Sequence, residues 1–351
     1  MAPLGDLGYP GGKTKAGEAL MKALYSAAFI ACGLAAAAVI PASAEMGDAA
    51  KPIAARVELH AIPSLTLTDQ QFLSGDANGK PVTITGELRI AQGAGRLPVV
   101  VLLHGSGGMG PNIEMWSRTF NAMGVSTLAL DGFTGRDLVS VNTDQARLGR
   151  LAFTLDSYRA LEMLAKHPRV DPSRIILMGF SRGGQGTLFA SLKRFHQMWN
   201  KSGAEFAAYI PFYPDCSTTY VADTEIDKPI RIFHGTPDDY NPVATCRKYV
   251  ERLRAAGRDV ALTEYPNAQH GFDNPLGTAA PFEVKGAQTV RHCTIAEEPK
   301  GTLINAVSKQ PFSYKDPCVE QNPHVNHDAE ATAAAMIAVK AFVAQTFRLG
   351  S

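Results

Sequence analysis

Ser181 lies at the centre of Gly179-Phe180-Ser181-Arg182-Gly183. Before it runs Arg174-Ile175-Ile176-Leu177-Met178, a strand-like stretch; after it, Leu188, Leu192 and Phe195 recur at helical spacing. A G-x-S-x-G pentapeptide between a strand and a helix places its serine on a tight turn with the hydroxyl projecting outward; without that context it is a Gly-rich structural turn. A serine hydroxyl is a weak nucleophile at neutral pH. It needs a histidine to accept its proton and a carboxylate to hold that imidazole in the right tautomer. Both partners follow downstream. Ile230-Arg231-Ile232-Phe233 runs into the turn cluster His234-Gly235-Thr236-Pro237-Asp238-Asp239, and Val260–Tyr265 ends in a loop carrying His270. Asp238, three residues past Gly235, is favoured over Asp239, which is expected to cap or salt-bridge locally. The residue types and their order point to acyl transfer through a serine.

Such chemistry also needs donors for the negative oxygen of a tetrahedral intermediate. The N–H of Arg182, next to the serine, is one candidate. Pro98–Leu103, the most strand-like run in the chain, opens into His104-Gly105-Ser106-Gly107-Gly108, whose backbone could supply the other. Read blandly, that loop is a flexible turn.

Taken together, HGSGG, LDGFTGRD, GFSRGG, FYPDC, HGTPDDYNP and AQHGFD, spread from about Pro81 to the C-terminus, resemble the dienelactone hydrolase-like branch of the α/β-hydrolases in a serine-nucleophile form. The resemblance implies Ser181 as nucleophile, Asp238 as acid, His270 as base, and oxyanion amides at Ser106 and Arg182. Dienelactone hydrolases proper carry a cysteine nucleophile and a glutamate beside the oxyanion loop, whereas this chain has Ser181 and Gly105. The departure favours ordinary carboxylic esters, with a lactone or peptide as the rival substrate. A binding protein that kept the fold without catalysis is the reading from another class.

The elements that must position these residues alternate strand and helix, which implies a mostly parallel sheet covered on both faces. Residues 55–61 and 81–90 read as leading antiparallel strands with a break at Lys80-Pro81. Asn112–Met123 and Gln145–Lys166 read as helices, Ser126–Leu130 as a strand, and Ala329–Phe347 as a final helix with Asp328 as its N-cap. Phe133, Tyr213 and Phe272 leave strand ends near the site and are candidate substrate contacts or core. Residues 274–323 show no clean periodicity, and they read either as a pinned surface excursion or as a rim over the acyl pocket.

With 351 residues, 45% of them hydrophobic, the chain can bury a substantial core, and residues 45–351 are expected to form one domain. A net charge of +1 and the lack of a long basic run argue against nucleic acid or an anionic membrane surface as partner, leaving a small molecule. No metal or cofactor is implied. Met21-Lys22 precedes an apolar run from Ala23 to Ile40 that ends in Pro41-Ala42-Ser43-Ala44, an export signal with cleavage expected after Ala44; a retained anchor is the alternative. Export leads to the periplasm or beyond, and Cys216, Cys246, Cys293 and Cys318 are then expected to be bridged. Cys216–Cys246 is sensible geometrically, because both follow adjacent strands. Zinc held with His324 and His327 is the alternative, without C-x₂-C spacing to support it.

Overall fold

Val99–Leu103 are buried on both sides, as a central parallel strand requires. Alternate residues divide between two cores: Val99, Val101 and Leu103 face one, Val100 and Leu102 the other. The computed structural model describes residues 53–226 and 228–350; the expected leader, its cleavage point after Ala44 and Cys32 lie outside the described residues.

The order is β1 (Arg56–Thr66), α1 (Asp69–Ser74), β2 (Lys80–Ile90), β3 (Leu97–Leu103), α2 (Pro111–Asn121), β4 (Ser126–Asp131) and α3 (Ala152–Ala165). Next come β5 (Val170–Phe180), α4 (Arg182–Phe189), α5 (Lys193–Trp199), β6 (Ala208–Phe212), the short β7 (Thr218–Thr219), β8 (Ile230–Gly235), α6 (Val243–Ala255) and β9 (Val260–Tyr265). Eight strands form one sheet in the order β1-β2-β4-β3-β5-β6-β8-β9, antiparallel at the β1 and β2 edge and parallel from β4 to β9. The helix α7 (Ala329–Phe347) closes the chain, and Asp328 caps it by accepting the Ala331 N–H at 2.8 Å. Residues of α2 and α7 fill one core, and those of α3, α4, α5 and α6 the other.

Several boundaries differ from the sequence reading. Lys80 and Pro81 open β2 rather than breaking the pair, with Pro81 opposite Leu65. The expected helix 145–166 begins at Ala152, and Gln145–Arg147 is a separate 3₁₀ turn. The cause is tertiary: Asp69 Oδ1 accepts the Leu151 N–H at 3.2 Å, which pulls the preceding segment towards α1. Leu188 and Phe195 sit on two helices, because the chain turns between α4 and α5 and the Lys193 N–H bonds Glu225 O at 2.9 Å.

The segment after His270 is built of short strands: β10 (Phe282–Glu283), β11 (Gln288–Thr289), β12 (Ile295–Glu298), β13 (Thr302–Asn305), β14 (Glu320–Gln321) and β15 (His324–Val325). They pair with one another and, through β12, with β7. Disulfides join Cys216 to Cys246 and Cys293 to Cys318. The second closes the excursion on itself, and zinc ligation by those thiols is thereby overturned. His324 instead bonds Asp239, and His327 bonds Phe272 O. Among the described residues no helix is long and apolar enough to cross a membrane.

Candidate active site

Parallel strands deliver their carboxyl-end loops to one edge of the sheet, and register aligns them: Leu103 of β3 lies opposite Gly179 of β5. Ser181 follows β5 directly and is the N-cap of α4, at φ 55° and ψ −116°. A side chain other than glycine held at positive φ is a strained conformation that its surroundings must enforce. They do so by close approach. A Cβ on Gly183 would fall 2.3 Å from Leu103 O, and one on Gly179 would fall 2.2 Å from Gly183 O. The turn can therefore be this tight only with glycine at both places.

His270 Nε2 lies 2.8 Å from Ser181 Oγ, and His270 Nδ1 lies 2.9 Å from Asp238 Oδ2. Asp238 Oδ1 accepts the backbone N–H groups of Tyr240 and Asn241 at 2.9 and 2.8 Å, which fixes the carboxylate plane. Burial opposes the charge on Asp238, yet the adjacent imidazoles of His270 and His234 outweigh it and hold the carboxyl well below the usual carboxylate range. The sequence gives no sign of this role for His234. It donates from Nε2 to Asn241 O at 2.7 Å and lies 3.3 Å from Asp238 Oδ2, so it braces the acid loop from beneath. Asp239 points elsewhere, to the His324 N–H at 2.7 Å and to Arg291 Nη1 at 3.1 Å.

The Gly-rich loop after β3 lies against the serine: a Cβ on Gly105 would sit 3.3 Å from Ser181 Cβ. Its entry is pinned by His104, which donates from Nδ1 to Gly105 O at 2.8 Å and accepts the Gly132 N–H on Nε2 at 3.2 Å. Burial lowers the His104 pKa, consistent with the neutral tautomer those bonds require. Ser106 O accepts the Val141 N–H at 2.9 Å, which orients the next turn of the loop. Arg182 opens α4, so its N–H has no acceptor within the helix.

A cavity of about 30 Å³, room for roughly one water, adjoins Ser181 and is lined by Ser106, Arg182, Gln185, Tyr240, Thr289 and Tyr314 among others. Thr289 and Tyr314 come from the excursion, which therefore forms a wall of the site. Thr289 Oγ1 bonds Tyr240 O at 2.5 Å, which ties this wall to the acid loop, and Asn326, just past the excursion, accepts the Gln269 N–H of the histidine loop at 2.8 Å. Phe133, Tyr213 and Phe272 do not line the cavity. Phe133 packs on His104 and Phe153, Phe272 on Phe212, and Tyr213 on His270, with ring centroids 4.7 Å apart in the last pair. Their surroundings are those of packing residues. Behind the histidine, fully buried Asp273 accepts from Tyr213 Oη at 2.6 Å and Trp116 Nε1 at 2.8 Å, and its pKa is raised by burial. That carboxylate went unread in the sequence.

Away from the site, Glu58, His60 and His167 bring three ligand-type atoms within 4.8 Å of one another. His167 Nδ1 accepts the Arg169 N–H at 3.2 Å, so its proton sits on Nε2, which donates to Glu58 Oε2 at 3.0 Å. A protonated Nε2 offers no lone pair to a metal, and Arg56 occupies the other Glu58 oxygen.

A serine on a strained strand-to-helix turn, followed in chain order by an acid and a histidine on later strand-end loops, is the arrangement of the α/β-hydrolase class. The profile of the dienelactone hydrolase family matches residues 84–292, more than half of the chain, and the chain belongs to that family. Among solved structures, a dienelactone hydrolase-like promiscuous phosphotriesterase from metagenomic libraries is similar at 18% identity and a TM-score of 0.52, over 83% of this chain and 98% of its own. A putative dienelactone hydrolase from Klebsiella pneumoniae subsp. pneumoniae aligns at 14% identity with the same TM-score, over 83% of this chain and 99% of its own. These similarities carry the fold. A search of curated proteins finds no significant match.

Proposed function

We propose that this chain hydrolyses carboxylic esters through an acyl-serine intermediate. The observation that carries the reading is the unbroken path from Asp238 through His270 to Ser181, with contacts of 2.9 and 2.8 Å. His270 Nε2 takes the Ser181 proton as Oγ attacks the ester carbonyl. The resulting oxyanion lies against the N–H groups of Ser106 and Arg182, donors that bind it better than the ground-state carbonyl. Collapse expels the alcohol, which receives the proton from His270. Water, deprotonated by the same imidazole, then releases the acid and restores Ser181. Asp238 stays ionised throughout and steadies the imidazolium.

Three features narrow the substrate. Ser181 stands where the family's cysteine would be, and Gly105 where its glutamate would be, so no substrate-triggered activation of the nucleophile is needed. Thr289 and Tyr314 of the excursion wall the space beside Ser181, which favours a small acyl group. Amides should be cut far more slowly, since an amine leaves only with closely placed general-acid help. Family membership makes lactone opening at the same serine the second reading. The two disulfides, together with the apolar segment ending at Ala44, support export to an oxidising compartment.

A panel of nitrophenyl acetate, butyrate and octanoate, a dienelactone and a chromogenic peptide tests this. The expected order is acetate first, longer acyl chains slower, and peptide slowest. A dienelactone or peptide turned over much faster than every simple ester overturns the esterase reading.

A further inference from the structure

The two residues assigned as oxyanion donors come from different loops, Ser106 after β3 and Arg182 after β5, and one side chain joins them. Gln145 Oε1 accepts from Ser106 Oγ at 3.2 Å, from Arg182 Nε at 3.2 Å and from Arg182 Nη2 at 2.6 Å. A guanidinium carries donors only, so the atom facing it must be the amide oxygen. The rest of the Arg182 side chain is held by carbonyls of the same segment: Nη2 bonds Gln145 O at 3.0 Å, and Nη1 bonds Leu148 O at 3.0 Å and Gly149 O at 3.2 Å. This buried cation is thus an anchor, with its donors facing protein oxygens. Gln145 is in turn held from outside, its backbone N–H donating to Gln288 Oε1 of the excursion at 2.8 Å.

We infer that Gln145 is the positioning residue of the oxyanion hole, holding Ser106 and Arg182 at a fixed separation through its single carbonyl oxygen, with Gln288 holding Gln145. The inference rests on the ester-hydrolase reading above. Oxyanion donors work only at about 2.7–3.1 Å from the developing charge, and a displacement of about 1 Å can cost on the order of 10²-fold in rate. Loss of the brace therefore acts on the transition state and leaves substrate binding in place.

The test compares wild type with Gln145→Leu, which keeps the bulk and removes the acceptor, and with Gln288→Ala, which releases the Gln145 backbone from a less buried position. On nitrophenyl acetate, Gln145→Leu is expected to lose roughly 10- to 100-fold in kcat with KM changed by less than about threefold, and Gln288→Ala to show the same pattern more weakly. The inhibition constant of an alkyl trifluoromethyl ketone, which forms an oxyanion on Ser181, should rise by the same factor as kcat falls. Unchanged kcat in both variants, or a loss confined to KM or to thermal stability with ketone inhibition intact, overturns the brace. If Gln145→Leu does not fold, the Gln288→Ala kcat and ketone measurements decide alone. Wild-type protein that neither hydrolyses esters nor reacts with a fluorophosphonate brings down the functional reading itself; active, labelled wild type with unaffected variants brings down only the brace.

Discussion

At the scale of single residues, two adjacent carboxylates part company. Asp238 is fully enclosed against His270, while Asp239 is spent on Arg291 and His324 at the foot of the excursion. Asp238→Asn leaves the imidazole in the wrong tautomer and should lower kcat on a short-chain ester by about 10³-fold or more, whereas Asp239→Asn should stay within about tenfold of wild type. The reverse ranking would mean that the other carboxylate serves the histidine. The depressed pKa of Asp238 also sets a stability profile. Its folded value lies below its unfolded one, so its ionised form stabilises the protein above an unfolded aspartate's pKa of about 3.9, and that contribution drains away as pH falls through the folded value. Urea titrations at neutral and acid pH should show wild type losing more stability on acidification than Asp238→Asn; equal losses would contradict the assignment.

At the scale of elements, the histidine loop is locked to α2 and β6 by the buried Asp273 carboxylate, which takes donors from Trp116 and Tyr213. Asp273→Ala orphans both donors and should cost about 2–4 kcal/mol by urea denaturation, in line with two buried hydrogen-bond donors left unpaired. A cost below about 1 kcal/mol would show that the loop is held by packing alone. What the sequence made legible follows the same division. The strands β3 and β5 announce themselves as apolar runs, and Ser181, Asp238 and His270 sit in turn chemistry next to such runs. The Gly-rich loop after β3 is readable for the same reason. Gln145 and Asp273 are not, because each acts through partners distant in sequence, and nothing local marks a buried polar side chain that will be satisfied by tertiary contact; His234 meets Asn241 and Asp238 within its own turn, but only the folded turn brings its ring to them. Gln145 was absorbed into a helical pattern that actually starts at Ala152. The helix α1 carried its own signals, the Thr68–Gln71 capping box and the Gly75 stop, but six residues are too few for periodicity to speak. Strands of two to four residues in the excursion leave no alternating pattern for the same reason.

At the scale of the whole molecule, a sheet brings three loops to one edge, and a disulfide-closed excursion then ties down the acid loop and walls the cavity beside the serine. Sheet register sets Ser181 against the Gly-rich loop after β3, while the excursion contributes Thr289 and Tyr314 to the space where an acyl group would sit. The excursion thus narrows the site as well as bracing it, which is why a small acyl group is the expected substrate. The proposed function rests on one covalent event, the transfer of an acyl group to Ser181. The direct measurement is rapid acid quench of the purified protein during turnover of nitrophenyl acetate, followed by peptide mass mapping, with Ser181→Ala in parallel. The account predicts an acetyl group on Ser181 in the wild type, and none, with turnover down by several orders of magnitude, in a normally folded Ser181→Ala. An acetyl group carried on another residue, or a Ser181→Ala variant that still turns over the ester at a substantial fraction of the wild-type rate, would contradict it.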